Sequence, residues 1–258
     1  MVFEWLKKLG KRVTAPTLPT REDRVARNTD EVDLRPYAPA ARDYLGQLAY
    51  IQLANFEILT NELKYSPNNF FKHELSEAAT KSYGKYRAVA KQIAALGLDV
   101  TDATDPFVER IETFHSRTRG TDWYETVIKV YLVSGLLDDF YRRLAVALEP
   151  TSRAAIEKAL DDKTIEKFAV RILEEAMSDN PALASRLALW GRRIMGDTLL
   201  ELRAAFDNRK LAGVSEGTRL SAAEEREANL EAYTKLEPLV SELIGKHTMR
   251  MDALGLTA

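Results

Sequence analysis

The chain contains no cysteine in 258 residues. Disulfides, thiolate nucleophiles, cysteine zinc sites and iron–sulfur clusters are therefore excluded. Histidine is nearly as scarce, with three residues. Acid–base or metal chemistry would have to use carboxylates, those imidazoles, hydroxyls or a bound cofactor. A surplus of either charge is missing too. The formal net charge of -2 gives no global basic field for nucleic-acid phosphates, so a nucleic-acid partner would need a local basic patch. No apolar run approaches the ~18–20 residues of a membrane span. The opening "MVFEWLKKLGKRV" lacks the long apolar region and small-residue cleavage site of a secretory signal, which makes the cytoplasm the expected location. No segment alternates like a strand bounded by hairpin turns.

What is present is helix after helix. Residues 14–38 mix proline, threonine and charge without a period, and residues 1–38 read as a flexible N-terminal arm. The first dozen residues set Val2, Phe3, Trp5 and Leu6 against Lys7, Lys8, Lys11 and Arg12. So short a piece reads as a loosely held terminus before a membrane-surface or partner-docking helix. Residues 39–258 read as one helical domain. Asn68 or Asn69 caps a helix running to about Leu96, and Asp105 with Pro106 opens a short one ending near His115. Asp122-x-x-Glu125 resembles a capping box for a third long helix, and Ser221-x-x-Glu224 forms one for the last. Between them the pattern predicts helices over about 152–178 and 182–211. Several of these helices reach 25 residues, which implies a bundle.

Apolar spacings of three and four locate the inward seams. They run through Leu45, Leu48, Gln52, Phe56, Leu59 and Leu63, then through Phe71, Leu75, Ala78, Ser82, Lys85, Val89, Ile93 and Leu96. A third follows Trp123, Val127, Val130, Ser134, Leu137, Tyr141, Leu144 and Leu148, and a fourth takes Ile165, Phe168, Ile172 and Ala176. Polar residues thus sit near the middle of three inward faces, where bundle proteins place metal sites. A di-iron bundle site needs carboxylates and imidazoles there. These positions carry an amide, two hydroxyls and an ammonium, and the ammonium repels a metal cation. The lone Glu-x-x-His, Glu112 to His115, has no second copy to pair with. It reads as structural, with His115 a helix C-terminal charge or hydrogen-bond partner.

The segments "SGLLDDFYRRLA", "FHSRTRGTDWYETVIKVY", "RLALWGRRIMGD" and "HTMRMDALGL" resemble an actinobacterial branch of the ferritin-like superfamily, over roughly Ala40 to Leu256. That branch is similar to tRNA-(2-methylthio-N6-isopentenyladenosine) hydroxylases, which are non-haem di-iron enzymes. The resemblance implies an all-α, ferritin-like four-helix bundle with two additional long C-terminal helices. It places the family's first-helix Glu on Gln52 and its second-helix Glu-x-x-His on Ser82 and Lys85. The acidic third-helix position falls on Ser134 and the fourth-helix His on Ile165. Every family ligand that can be placed is replaced.

The expected protein is therefore a metal-free, non-catalytic member with no cofactor. The alternatives are an oxygen-dependent di-iron hydroxylase acting on a modified tRNA base, and an RNA-binding module. In the first, iron or manganese would be held by acids such as Glu57, Glu77, Glu112, His115, Glu125, Asp138 and Glu166. For an inward Lys85, Asp138 and Asp139 are the candidate partners; otherwise the side chain reaches solvent along Tyr83 or Tyr86. Trp190, Arg192 and Arg193 suit base stacking, but read first as a core tryptophan with arginines bonded to neighbours. Tyr83, Tyr86, Tyr131 and Tyr141 read as core and rim aromatics. The Leu and Val stripe of the last helix must pack on the bundle or on a second copy in a homodimer.

Overall fold

The computed structural model describes residues 33–178, 180–206, 211–215 and 217–258. Residues 1–32 of the expected arm, with its amphipathic opening, lie outside that range. Residues 33–38 lie inside it: Leu34 is buried in the core, and its carbonyl accepts from the Tyr37 and Ala38 amides.

The helices are α1 (Ala41–Glu62), α2 (Asn69–Ala95), α3 (Val100–Arg117), α4 (Trp123–Leu144), α5 (Pro150–Leu160), α6 (Thr164–Ser178), α7 (Pro181–Ala204) and α8 (Ala222–Ala253). No strand occurs among the described residues. Capping fixes most starts, because a side-chain oxygen satisfies an amide that the first turn leaves bare. Asn68 accepts from the Phe71 amide at 2.8 Å. Ser221 and Glu224 make a reciprocal capping box. Asp122 accepts from the Glu125 amide at 2.9 Å, but Glu125 turns back to Thr121 rather than to Asp122.

Three helix limits differ from the pattern reading. The helix expected from Asp105 begins at Val100, because Asp99 caps the Thr101 and Asp102 amides. Pro106 then falls inside it, where it cannot donate to the Asp102 carbonyl. The Arg42 guanidinium supplies that missing donor at 2.9 Å. The helix expected over 152–178 is broken in two. Asp162 accepts from the Thr164 amide and opens α6, while Arg142 takes the Leu160 carbonyl that ends α5. The helix expected to reach Leu211 ends at Ala204, where the Ala205 amide closes back on the last turn. Leu96, placed at the end of the second seam, is exposed beyond the last turn of α2.

Helix α1 packs on α2, α2 on α6, α6 on α4 and α4 back on α1, closing a four-helix ring. α3 lies against α1, α7 packs on α4 and α6, and α8 packs on α4 and α7. Covered from so many sides, α4 buries 18 of its 22 residues, as a helix apolar nearly all round must. The inward Leu stripe of α8, Leu236, Leu239 and Leu243, joins the bundle core. The core forms two apolar clusters. They divide α2 between Ala79 and Val89, where Ser82 and Lys85 lie, and they divide α4 just before Ser134. The polar residues read from the seams form the layer between two hydrophobic halves.

Candidate functional site

The fold brings Gln52, Ser82, Lys85, Ser134 and Asp138 together in that layer. Lys85 is 4% exposed, so its ammonium needs a partner of opposite charge. Asp138 supplies it, with Nζ to Oδ2 at 2.6 Å. The other Asp138 oxygen accepts from Gln52 Nε2 at 3.1 Å, and the Ser82 hydroxyl donates to the Gln52 backbone carbonyl at 3.2 Å. Lys85 does not reach solvent along Tyr83 or Tyr86, whose rings instead lie tilted against each other. Ile165 lies in the cluster beneath as an apolar side chain.

The neighbouring turn of α4 holds a second charged group. Asp139 accepts from Arg250 of α8, which also donates to the Gly135 carbonyl at 3.0 Å. Gly135 permits this approach, since a Cβ there would overlap the Arg250 side chain. The space among Lys85, Ser134, Asp138 and Arg250 is about 20 Å³, room for one water. The Ser134 hydroxyl and one Arg250 Nη face it without a protein partner. A wider cleft of about 340 Å³ shares Tyr131, Lys163, Glu166 and Arg250 with this cavity.

These residues do not suit the di-metal centre that the resemblance implied. The position of a cation is taken by an ammonium, and its nearest carboxylate is already neutralised and hydrogen-bonded. The fallback acids do not converge elsewhere. Glu57 and Glu77 are exposed, Glu112 accepts from the Tyr50 hydroxyl, and Glu166 pairs with Lys163. Glu125 is held by the Thr121 amide and hydroxyl. Among the described residues, no three His, Asp or Glu side chains form a group able to hold a metal ion.

The His115 ring is neither a helix C-terminal charge nor a hydrogen-bond partner. It is buried, both ring nitrogens lack partners, and burial together with the Lys129 charge lowers its pKa to about 3. The helix continues past it to Arg117, which turns the ring inward beside Phe114. Lys129 donates to the His115 carbonyl at 3.1 Å, and burial lowers its own pKa to about 8. Pattern reading missed Lys129, because it searched one stripe of a helix that is buried on every side. It also missed the Arg110–Glu201 pair, which joins α3 to α7. Trp190 donates to the Glu125 carbonyl, Arg193 lies over its ring, and Arg192 donates to the Thr257 carbonyl. The three are engaged within the fold.

A closed four-helix ring with two long helices added, and a polar layer at mid-bundle, defines a ferritin-like domain. A sequence model of the family described as "Ferritin-like domain, actinomycetes" matches residues 35–215, and the chain belongs to that family. No curated protein matches the sequence.

Proposed function

We propose that this protein is a metal-free, non-catalytic relative of the tRNA-hydroxylase-like di-iron proteins, keeping residues 39–258 as a single binding or structural module. The observation that carries the reading is the Lys85–Asp138 pair at mid-bundle, whose ammonium stands at a seam position where the family resemblance puts a ligand. An ammonium hydrogen-bonded to a carboxylate uses the charge that a metal ion would need, and Gln52 uses the carboxylate's other oxygen. Ser82 and Ser134 offer hydroxyls where the chemistry of oxygen activation calls for carboxylates.

The test is metal content of protein expressed in iron- and manganese-supplemented medium, measured after any affinity tag is removed. Near-zero metal per chain, with no thermal shift on adding manganese, is the expected result. One or two metals per chain would overturn the reading. Glu57, Glu77, Glu112, His115, Glu125, Asp138 and Glu166 would then be replaced singly to find the ligands.

A further inference from the structure

A second cavity lies away from the polar layer and does not depend on the metal-free reading. Between α7 and α8 the two C-terminal helices leave an apolar space of about 250 Å³. Its deep wall includes Phe140 of α4 and Leu239 and Leu243 of α8, all fully or nearly buried. Its mouth carries Leu200 and Tyr233, exposed to 62% and 51%. The exposed Leu200 and Tyr233 make the apolar lining continuous from the buried floor to solvent.

Two residues of α7 give the cavity direction. Gly196 lies at its rim in the interior of a long helix, where glycine costs up to about 1 kcal/mol relative to alanine. At Gly135 and Gly191 an added Cβ would strike Arg250 or Met251, but at Gly196 it would meet nothing within 4 Å. Packing therefore does not demand a glycine there, whereas any longer side chain would take up room at the cavity's edge. Two turns on, Arg203 lines the same space, its guanidinium carbon 5.7 Å from the Tyr233 ring centre. A planar fork of donors held at the mouth of an apolar cavity matches a carboxylate head.

The dimensions choose among occupants. One turn of a partner helix is ~10 Å across and ~5 Å long with its side chains, more than this space admits. An apolar cavity of about 150 Å³ takes the six carbons of benzene, so this one admits roughly ten. We propose that the α7–α8 cavity binds a medium-chain aliphatic carboxylate, with its tail against Phe140 and Leu239 and its head on Arg203.

The test is calorimetric titration of the full-length protein with decanoate, and with 1-decanol as the uncharged probe. Saturable one-to-one binding of decanoate is expected. Gly196→Leu, whose Cβ meets nothing within 4 Å and whose longer side chain takes up room at the rim, should weaken both probes at least about tenfold while thermal unfolding confirms an intact fold. Arg203→Met should weaken decanoate by about tenfold, the scale of one charge-assisted pair, and leave decanol unchanged. No saturable decanoate binding overturns the proposal, as does binding indifferent to Gly196→Leu. Equal losses of decanoate and decanol in Arg203→Met would overturn the placement of the head group. A concentration-dependent dimer abolished by Gly196→Leu, without decanoate binding, would assign the cavity to a second copy of the chain instead.

Discussion

Replacing Lys85 by methionine keeps most of the side-chain volume and removes the charge. Asp138 would then keep one donor, Gln52 Nε2, and would otherwise be a buried carboxylate without its counter-ion. Breaking a buried pair from one side costs about 3–5 kcal/mol, because the remaining charge stays desolvated. For a chain of this size each kcal/mol moves the melting temperature by roughly 2–4 °C, so Lys85→Met should lower it by at least roughly 6 °C. Removing Asp138 as well, as leucine, should recover much of that loss. It leaves the Gln52 amide without its acceptor, a residual cost of about 1–3 kcal/mol. Adding Gln52→Leu should remove this penalty, since apolar replacement of a complete buried pair is often neutral or stabilising. Urea and thermal unfolding followed by circular dichroism give the cycle. Additivity of the Lys85 and Asp138 effects to within ~0.5 kcal/mol, or a Lys85→Met variant as stable as the native chain, would refute a coupled buried pair.

Lys129 is held near pKa 8 by burial, well below the 10.5 of a free lysine. The unfolded chain therefore binds the extra proton between those values, and native stability should rise from pH 8 to pH 10. In Lys129→Met that rise should be smaller by about 2–3 kcal/mol; parallel curves would count against the buried ammonium. His115 and His247 have pKa values depressed by burial to about 3 and about 4. The unfolded state takes up their protons first, so stability should fall as pH drops below 6.5. His115→Leu should flatten the acid limb of urea midpoints against pH, and an unchanged slope would show that the ring is solvated. Pro106→Ala restores the amide that Asp102 lacks and should stabilise by about 1–3 kcal/mol. In that background Arg42→Met should become silent, and a persisting cost would show that Arg42 serves something other than that carbonyl.

The fold was legible because long helices write their period and their caps into local sequence. Asn68, Asp122 and Ser221 each placed a start correctly, and the seams of α1, α2 and α4 matched buried faces. Local pattern failed where a distant residue decided the outcome. Pro106 looked like a helix start because the Arg42 that supports it inside a helix lies on another element. The break between α5 and α6 depends in part on Arg142 reaching across from α4. The inward positions Gln52, Ser82, Lys85 and Ser134 could be read from spacing, and Asp138 was named as a partner. Lys129 could not, since a helix buried on several faces has no solvent side against which a polar residue stands out. Glu201 lies on the single buried stripe of α7 with Ile194, Thr198 and Leu202, and its partner Arg110 comes from another helix. The α7–α8 cavity left no sequence signal beyond a glycine and an arginine seven residues apart.

The polar layer can be understood as a choice of counter-ion. A bundle that gathers carboxylates at its middle must neutralise them, and a bound metal does so at the expense of depending on metal supply. In this chain two adjacent carboxylates of α4 lie there, Asp138 facing the layer and Asp139 facing α8. Each is met by a covalently attached cation, Lys85 for the first and Arg250 for the second. The neutralising charge therefore arrives with folding itself, and the polar layer survives as a set of directional bonds between two apolar clusters. Such a layer sets the register of α1, α2 and α4 against one another, because an ammonium shifted by one turn would lose the Asp138 carboxylate. A register fixed in this way holds α4 at a defined height, and with it Phe140, half a turn beyond Asp138, at the base of the α7–α8 cavity.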